Sequence, residues 1–187
     1  MSQSSHFLAS DALLVVDVQN DFCLGGALAV PEGEQVVGPC NQLIDRFETV
    51  IFTQDWHPEN HSSFASSNEG NEQFDGVDMP YGKQILWPDH CVQGTSGAEF
   101  HPDIMVQKAS LILRKGWRVE VDSYSAFLEN NHSTTTGLGG YLRQKGIDRV
   151  FLCGLAADYC VAFSARDGVE EGFDHIDVEA FLHPIPG

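Results

Sequence analysis

Short apolar runs separated by longer mixed segments set the first expectation for this chain. Residues 12–16, 49–53, 111–113 and 149–153 are rich in Val, Ile, Leu and Phe without clean alternation, as strands covered on both faces should be. Helical patterns lie between them. Val36, Val37, Cys40, Leu43, Ile44 and Phe47 recur at helical spacing, and Pro39 requires that its turn be early or kinked. Residues 134–145 open with capping threonines and close on Gly146, and 158–171 close on Gly172. Strands alternating with helices predict an α/β fold, a parallel sheet with right-handed crossovers. The interval 57–102 differs, being rich in Asn, Ser, Gly, Pro and His with little periodicity. Structureless connections of that length usually carry function.

Composition narrows the picture. At 187 residues the chain suits one sizeable core and is too short for two ordinary domains, so 1–187 reads as a single domain. Hydrophobic residues make up 42%, enough to outweigh chain entropy on folding. Ten Lys and Arg against 27 Asp and Glu leave a formal charge of −17, which repels nucleic acid and anionic membrane surfaces. A small neutral substrate or a cation suits that field better. No basic region precedes the first apolar run, and no stretch reaches the ~18 apolar residues of a membrane helix. Five cysteines without paired spacing argue against a disulfide framework and for a reducing, cytoplasmic setting.

Each apolar run leads to a residue able to do chemistry: Asp17 after ALLVV, Asp55 after VIFTQ, Lys115 after LILR, and Cys160 just past FLCG. In open α/β sheets, ligands bind outside the carboxyl ends of the strands. Cys160 falls in the first turn of the helix expected from about residue 158, where the macrodipole favours a thiolate. An isolated cysteine there would read as a small buried hydrophobe, and Cys153, inside a strand, is assigned that role. Lys115 and Asp17 would stand alone as a solvated lysine and a turn former. Together with Cys160 they supply a cation and a proton carrier for a thiolate nucleophile.

QDWHPENH places Asp55, His57 and His61 within seven residues, and WPDHC adds His90. In extended backbone Asp55 and His57 point to one face. A carboxylate with three imidazoles suits Zn, Fe or Mn and leaves coordination positions for water or substrate. Residues 54–102 thus read as a long metal-binding loop region, with Asp89 beside it as a supporting or solvated carboxylate. Single loop histidines are more often merely exposed; the D-x-H-x3-H spacing favours the metal.

The motifs VDVQNDFCLGGALAV, TQDWHPENHSSFA, WPDHCVQGTSGAEFHP, RKG followed by DSYSAF, and GLAADYCVAFSARD occur in that order over residues 12 to about 170. With them the chain resembles the nicotinamidase group of the isochorismatase-like cysteine hydrolases. The resemblance implies a three-layer sandwich with a central parallel sheet flanked by helices. It implies Cys160 as nucleophile, Asp17 as proton carrier, Lys115 as the third catalytic member, and one divalent ion on Asp55, His57, His61 and His90. It further implies a non-proline cis bond between Leu155 and Ala156, and an oxyanion hole from the N–H groups of Ala156 and Cys160. Phe22, Trp87, Tyr124 and Leu155 would line the pyridine pocket.

The activity so implied is hydrolysis of nicotinamide, and of pyrazinamide, through a cysteine thioester, a step of NAD salvage, with the metal holding the pyridine nitrogen. Another amidase or a ureido hydrolase of the same fold is the near alternative, and relatives on isochorismate or carbamoyl substrates lack the metal set. From a different class, a metal-binding scaffold that has lost turnover is the other alternative, and its acidic surface would suit homo-association. The closing residues FDHIDVEAFLHPIPG depart from the family's Asp- and Ala-rich turn and final helix. A truncated C-terminal portion, leaving a sheet edge uncovered, is the expectation there.

Overall fold

The structure, a computed structural model, describes residues 7–173 and 175–178. Its centre is a five-stranded sheet of β1 (Asp11–Val16), β2 (Thr49–Asp55), β5 (Leu111–Lys115), β6 (Arg149–Gly154) and β7 (His175–Val178). The order is β5-β2-β1-β6-β7, parallel throughout. Every residue of β1 and β2 is buried, which is why those runs lack polar alternation. Leu13 and Val15 of β1 pack with Val37, Cys40 and Ile44 of α1 (Val37–Ile44). Ala12, Leu14 and Val16 face the other way, toward Leu138 and Leu142 of α2 (Leu138–Gln144) and Val161 just before α3 (Ala162–Glu170). One strand therefore feeds two cores, and the predicted three layers are present.

The helices start later or end sooner than periodicity suggests. Pro39 lies in the first turn of α1, where its missing N–H is not needed, so no kink results. The expected helix from residue 134 begins at Leu138, because Gly137 enters with φ +95°; Thr136 Oγ1 nevertheless accepts from Leu138 N–H at 3.2 Å. Ahead of α3 the segment Ala157–Val161 is a π-helical turn. Gly146 and Gly172, at φ +71° and +88°, close α2 and α3 as read. The 57–102 interval is not structureless: β3 (Gly76–Met79) and β4 (Gly82–Ile85) form an antiparallel hairpin. The expectation of a truncated C-terminus falls on residues 179–187, outside those described.

β1 lies centrally, with β2 and β5 on one side and β6 and β7 on the other. The loops leaving β1 and β6 thus run in opposite directions and open a crevice, the usual ligand position in such sheets. Gly154 ends β6 at φ +114°, and a Cβ there would stand 2.1 Å from the Val16 carbonyl oxygen. Both the left-handed backbone and the close approach of two strand ends exclude a side chain. Gly154→Ala is expected to lower stability by about 3 kcal/mol or more, read as a shift of the urea unfolding midpoint.

Candidate active site

Four elements deliver the site. Asp17 follows β1 at φ +46°, a left-handed conformation that Asp tolerates better than most residues. Its N–H donates to Thr53 Oγ1 at 3.1 Å, and the Thr53 hydroxyl donates to Asp17 Oδ1 at 2.6 Å. Lys115 ends β5 and is fully buried. Its Nζ donates to Asp55 Oδ1 at 2.8 Å, to the Ser123 carbonyl at 3.0 Å and to Cys160 Sγ at 3.4 Å. Asp17 Oδ2 lies 2.9 Å from the same nitrogen as its ion-pair partner, so four acceptors surround three ammonium protons.

The electrostatics follow from burial. Desolvation opposes charge on Lys115, yet the Asp17 and Asp55 carboxylates hold its pKa well above the usual value. Desolvation also works against the Asp55 carboxylate, but Lys115 and His57 pull its pKa well down. Burial raises the Asp17 carboxyl against the pull of Lys115. Burial likewise pushes the Cys160 thiol well up, with Lys115 opposing and Asp17 and Asp55 adding to the rise. This corrects the expectation of a resting thiolate: loss of water outweighs the cation and the turn's dipole. The resting group is a thiol beside a carboxylate of raised basicity, a pair between which a proton can move.

The metal candidates divide. Asp55, His57 and His90 bring one ligand atom each within 4.8 Å of one another, all buried. His57 Nδ1–H donates to the Gly116 carbonyl at 2.9 Å and His90 Nδ1–H to the Pro88 carbonyl at 2.8 Å, which turns both Nε2 atoms toward Asp55 Oδ2, 3.2 and 3.5 Å away. His57 Nε2 is buried without a hydrogen-bond partner. An orphaned nitrogen beside a carboxylate and a second imidazole fits a divalent ion. Gly116 is needed here, since a Cβ on it would meet His57 Cε1 at 2.4 Å. His61 stands next to His57, ring centres 4.4 Å apart. It groups with His57 and Asp122 rather than with Asp55 and His90.

A cavity opens on the sulfur, lined by Phe22, Leu28, Asp55, Trp87, His90, Asp122, Tyr124, Tyr159 and Cys160. Trp87, Tyr124 and Tyr159 meet edge to face at 4.8 to 6.2 Å. Leu155 is fully buried in the cluster with α1 and is not on this wall; the cis bond joins it to Ala156. Tyr159, Asp122, Thr53 and Ser123 were missed by sequence reasoning, though Tyr159 adjoins Cys160 and Asp122 opens DSYSAF. Asp89 accepts from the Ser66 hydroxyl at 2.6 Å, away from the ligand atoms. All five cysteines are buried and outside any disulfide.

A cysteine, an aspartate and a lysine at the carboxyl edge of this sheet define a class, and the chain belongs to the Isochorismatase domain family, which it matches over residues 11–179. Within that family it falls among the nicotinamidases, enzymes of amide hydrolysis. It is 52% identical over 163 residues to the nicotinamidase of Acinetobacter baylyi, covering 87% of this chain and 76% of that one. The structure of an Acinetobacter baumanii nicotinamidase/pyrazinamidase superposes with TM-score 0.94 at 49% identity, covering 96% of this chain and 87% of that one. A Pyrococcus horikoshii pyrazinamidase solved in complex with zinc gives TM-score 0.72 at 33% identity, covering 92% of this chain and 99% of that one.

Because the resting Cys160 is a thiol, its labelling by iodoacetamide in metal-stripped protein is expected to keep accelerating above pH 9. A raised pKa leaves thiolate scarce below it. Peptide mapping follows the rate, and one that levels off below about pH 8.5, the ordinary thiol range, contradicts the assignment.

Proposed function

We propose that the chain hydrolyses nicotinamide to nicotinate and ammonia, with Cys160 as nucleophile, Asp17 as proton carrier and Lys115 as the cation between them. The observation that carries this reading is the position of Lys115 Nζ, which touches Cys160 Sγ, Asp17 and Asp55 together. The close nicotinamidase relatives support the substrate. The cavity beside the sulfur supports it too, being walled by aromatic groups.

The steps follow from the resting protonation. The Cys160 thiol passes its proton to Asp17 Oδ2 as the sulfur lone pair forms a bond to the amide carbon, with Lys115 stabilising the thiolate as it appears. The carbonyl π electrons move to oxygen, where the N–H groups of Ala156 and Cys160 supply the oxyanion hole. When the carbonyl re-forms, the C–N bond breaks and Asp17 returns its proton to the departing nitrogen, releasing ammonia and leaving a thioester. Asp17 then takes a proton from water whose oxygen attacks the thioester carbon. The C–S bond breaks, the sulfur regains the proton, and nicotinate leaves.

Asp55, His57 and His90 would hold the divalent ion, with His61 as the further ligand. Zinc in the Pyrococcus horikoshii relative supports a metal here. These residues would thereby provide a Lewis acid for the pyridine nitrogen, so that affinity for the ring and reactivity of the amide would reside in different groups. Phe22, Trp87, Tyr124 and Tyr159 confine the ring and exclude water. Holding the amide carbon at the sulfur supplies much of the rate by proximity.

Ammonia release from nicotinamide tests the reading. Purified protein should release ammonia, lose the activity on chelation, and regain it to different degrees with Zn, Fe or Mn. Full activity in rigorously metal-free protein would defeat the metal assignment. Cys160→Ala should reduce turnover to background while calorimetry still detects nicotinamide binding, since the ring is held elsewhere. A variant that keeps turning over would exclude the covalent route.

A further inference from the structure

We propose that Asp122 carries the second negative charge of the cation site, facing a divalent ion across His57 and His61. The inference rests on the metal reading above and extends the site beyond the ligands that reading uses.

Asp122 is 2% exposed and forms part of the cavity wall beside Asp55 and His90. A carboxylate oxygen of Asp122 and one nitrogen each of His57 and His61 lie within 4.8 Å of one another. Its electrostatic influence reaches both imidazoles. The donors that hold it are neutral, Gln84 Nε2 at 3.1 Å and the Ser123 N–H at 2.7 Å. Among the described residues no Lys or Arg pairs with it. A buried carboxylate without a cation is costly, and an ion held on His57 and His61 would lie beside it.

Counting charge leads to the same place. With the one proton that the mechanism passes between them, the Asp17 and Cys160 pair is singly negative whichever partner holds it. Asp55 is negative, and Lys115 cancels one of these two charges. The catalytic groups and Asp55 therefore offer a divalent ion a single net negative charge, which leaves one positive charge uncompensated in a dry site. Asp122 supplies the missing one. His57, whose Nδ1 is committed to the Gly116 carbonyl, joins the two halves: Asp55 and His90 on one side, His61 and Asp122 on the other. Asp122 thus acts on the ion as a charge partner, and its effect should appear in metal affinity before it appears in the chemistry.

The test uses metal-stripped full-length protein and Zn²⁺ alone as probe, titrated against a chromogenic chelator. Asp122→Asn and Asp122→Ser are both made, so that misfolding of one leaves the other. Zinc affinity is expected to fall at least tenfold in each, and the zinc-induced rise in Tm should shrink. The metal-free variants should melt no lower than the parent, because an uncompensated buried charge has been removed. Asp78→Asn, on an exposed carboxylate paired with Lys83, controls for net charge and should leave zinc affinity unchanged. Unchanged affinity in the Asp122 variants, with a lower metal-free Tm, would mean a purely structural residue and overturn the proposal. If the parent protein itself takes up no zinc, the metal reading falls and this inference with it.

Discussion

One buried ammonium group holds the site together. The Lys115 side chain has no exposed surface, and two carboxylates and a thiol from three other segments converge on it. Each carboxylate alone would be costly in that interior, and their mutual repulsion would add to the cost. The cation compensates both and fixes their separation. Since Asp17 leaves β1, Asp55 ends β2 and Cys160 follows β6, the same ion pairs clamp the carboxyl edge of the sheet. Stability and chemistry depend on one contact.

From that constraint the division of labour follows. Asp17 Oδ2 faces Lys115 while Thr53 on its other oxygen keeps the carboxylate aimed. Asp55 belongs to both halves: one oxygen faces Lys115 and the other faces His57 and His90. Backbone carbonyls at Gly116 and Pro88 select the histidine tautomers. The aromatic walls hang on a buried amide, Gln84, which donates to Tyr124 and Asp122 while accepting from Asn130. Through Gln84 the β3–β4 hairpin reaches the pocket.

Much of this was legible in the sequence, for physical reasons. Strands buried on both faces must be apolar, and a site at their ends must place its polar groups just beyond each run, so Asp17, Asp55 and Lys115 stood out, with Cys160 a turn further on. The hairpin did not, because its residues are largely exposed and only Gln84 of its two strands is buried; without a buried face there is no alternation to read. Asp122 and Tyr159 lie outside the strands, where composition carries little signal. The state of Cys160 was misread for a different cause. Dipole and neighbouring charge can be inferred from local sequence, whereas desolvation depends on everything packed around the sulfur, and here it dominates.

Urea unfolding shows whether Lys115 is the shared counter-charge of Asp17 and Asp55. Lys115→Met keeps much of the side chain's bulk and removes the charge, so two buried carboxylates lose their partner. A loss of about 3–5 kcal/mol is expected, with part of it recovered in Lys115→Met/Asp17→Asn, where one of those charges is also removed. If Lys115→Met unfolded at the parent midpoint, or if the second substitution simply added to the loss, the ammonium would not be what holds this site together.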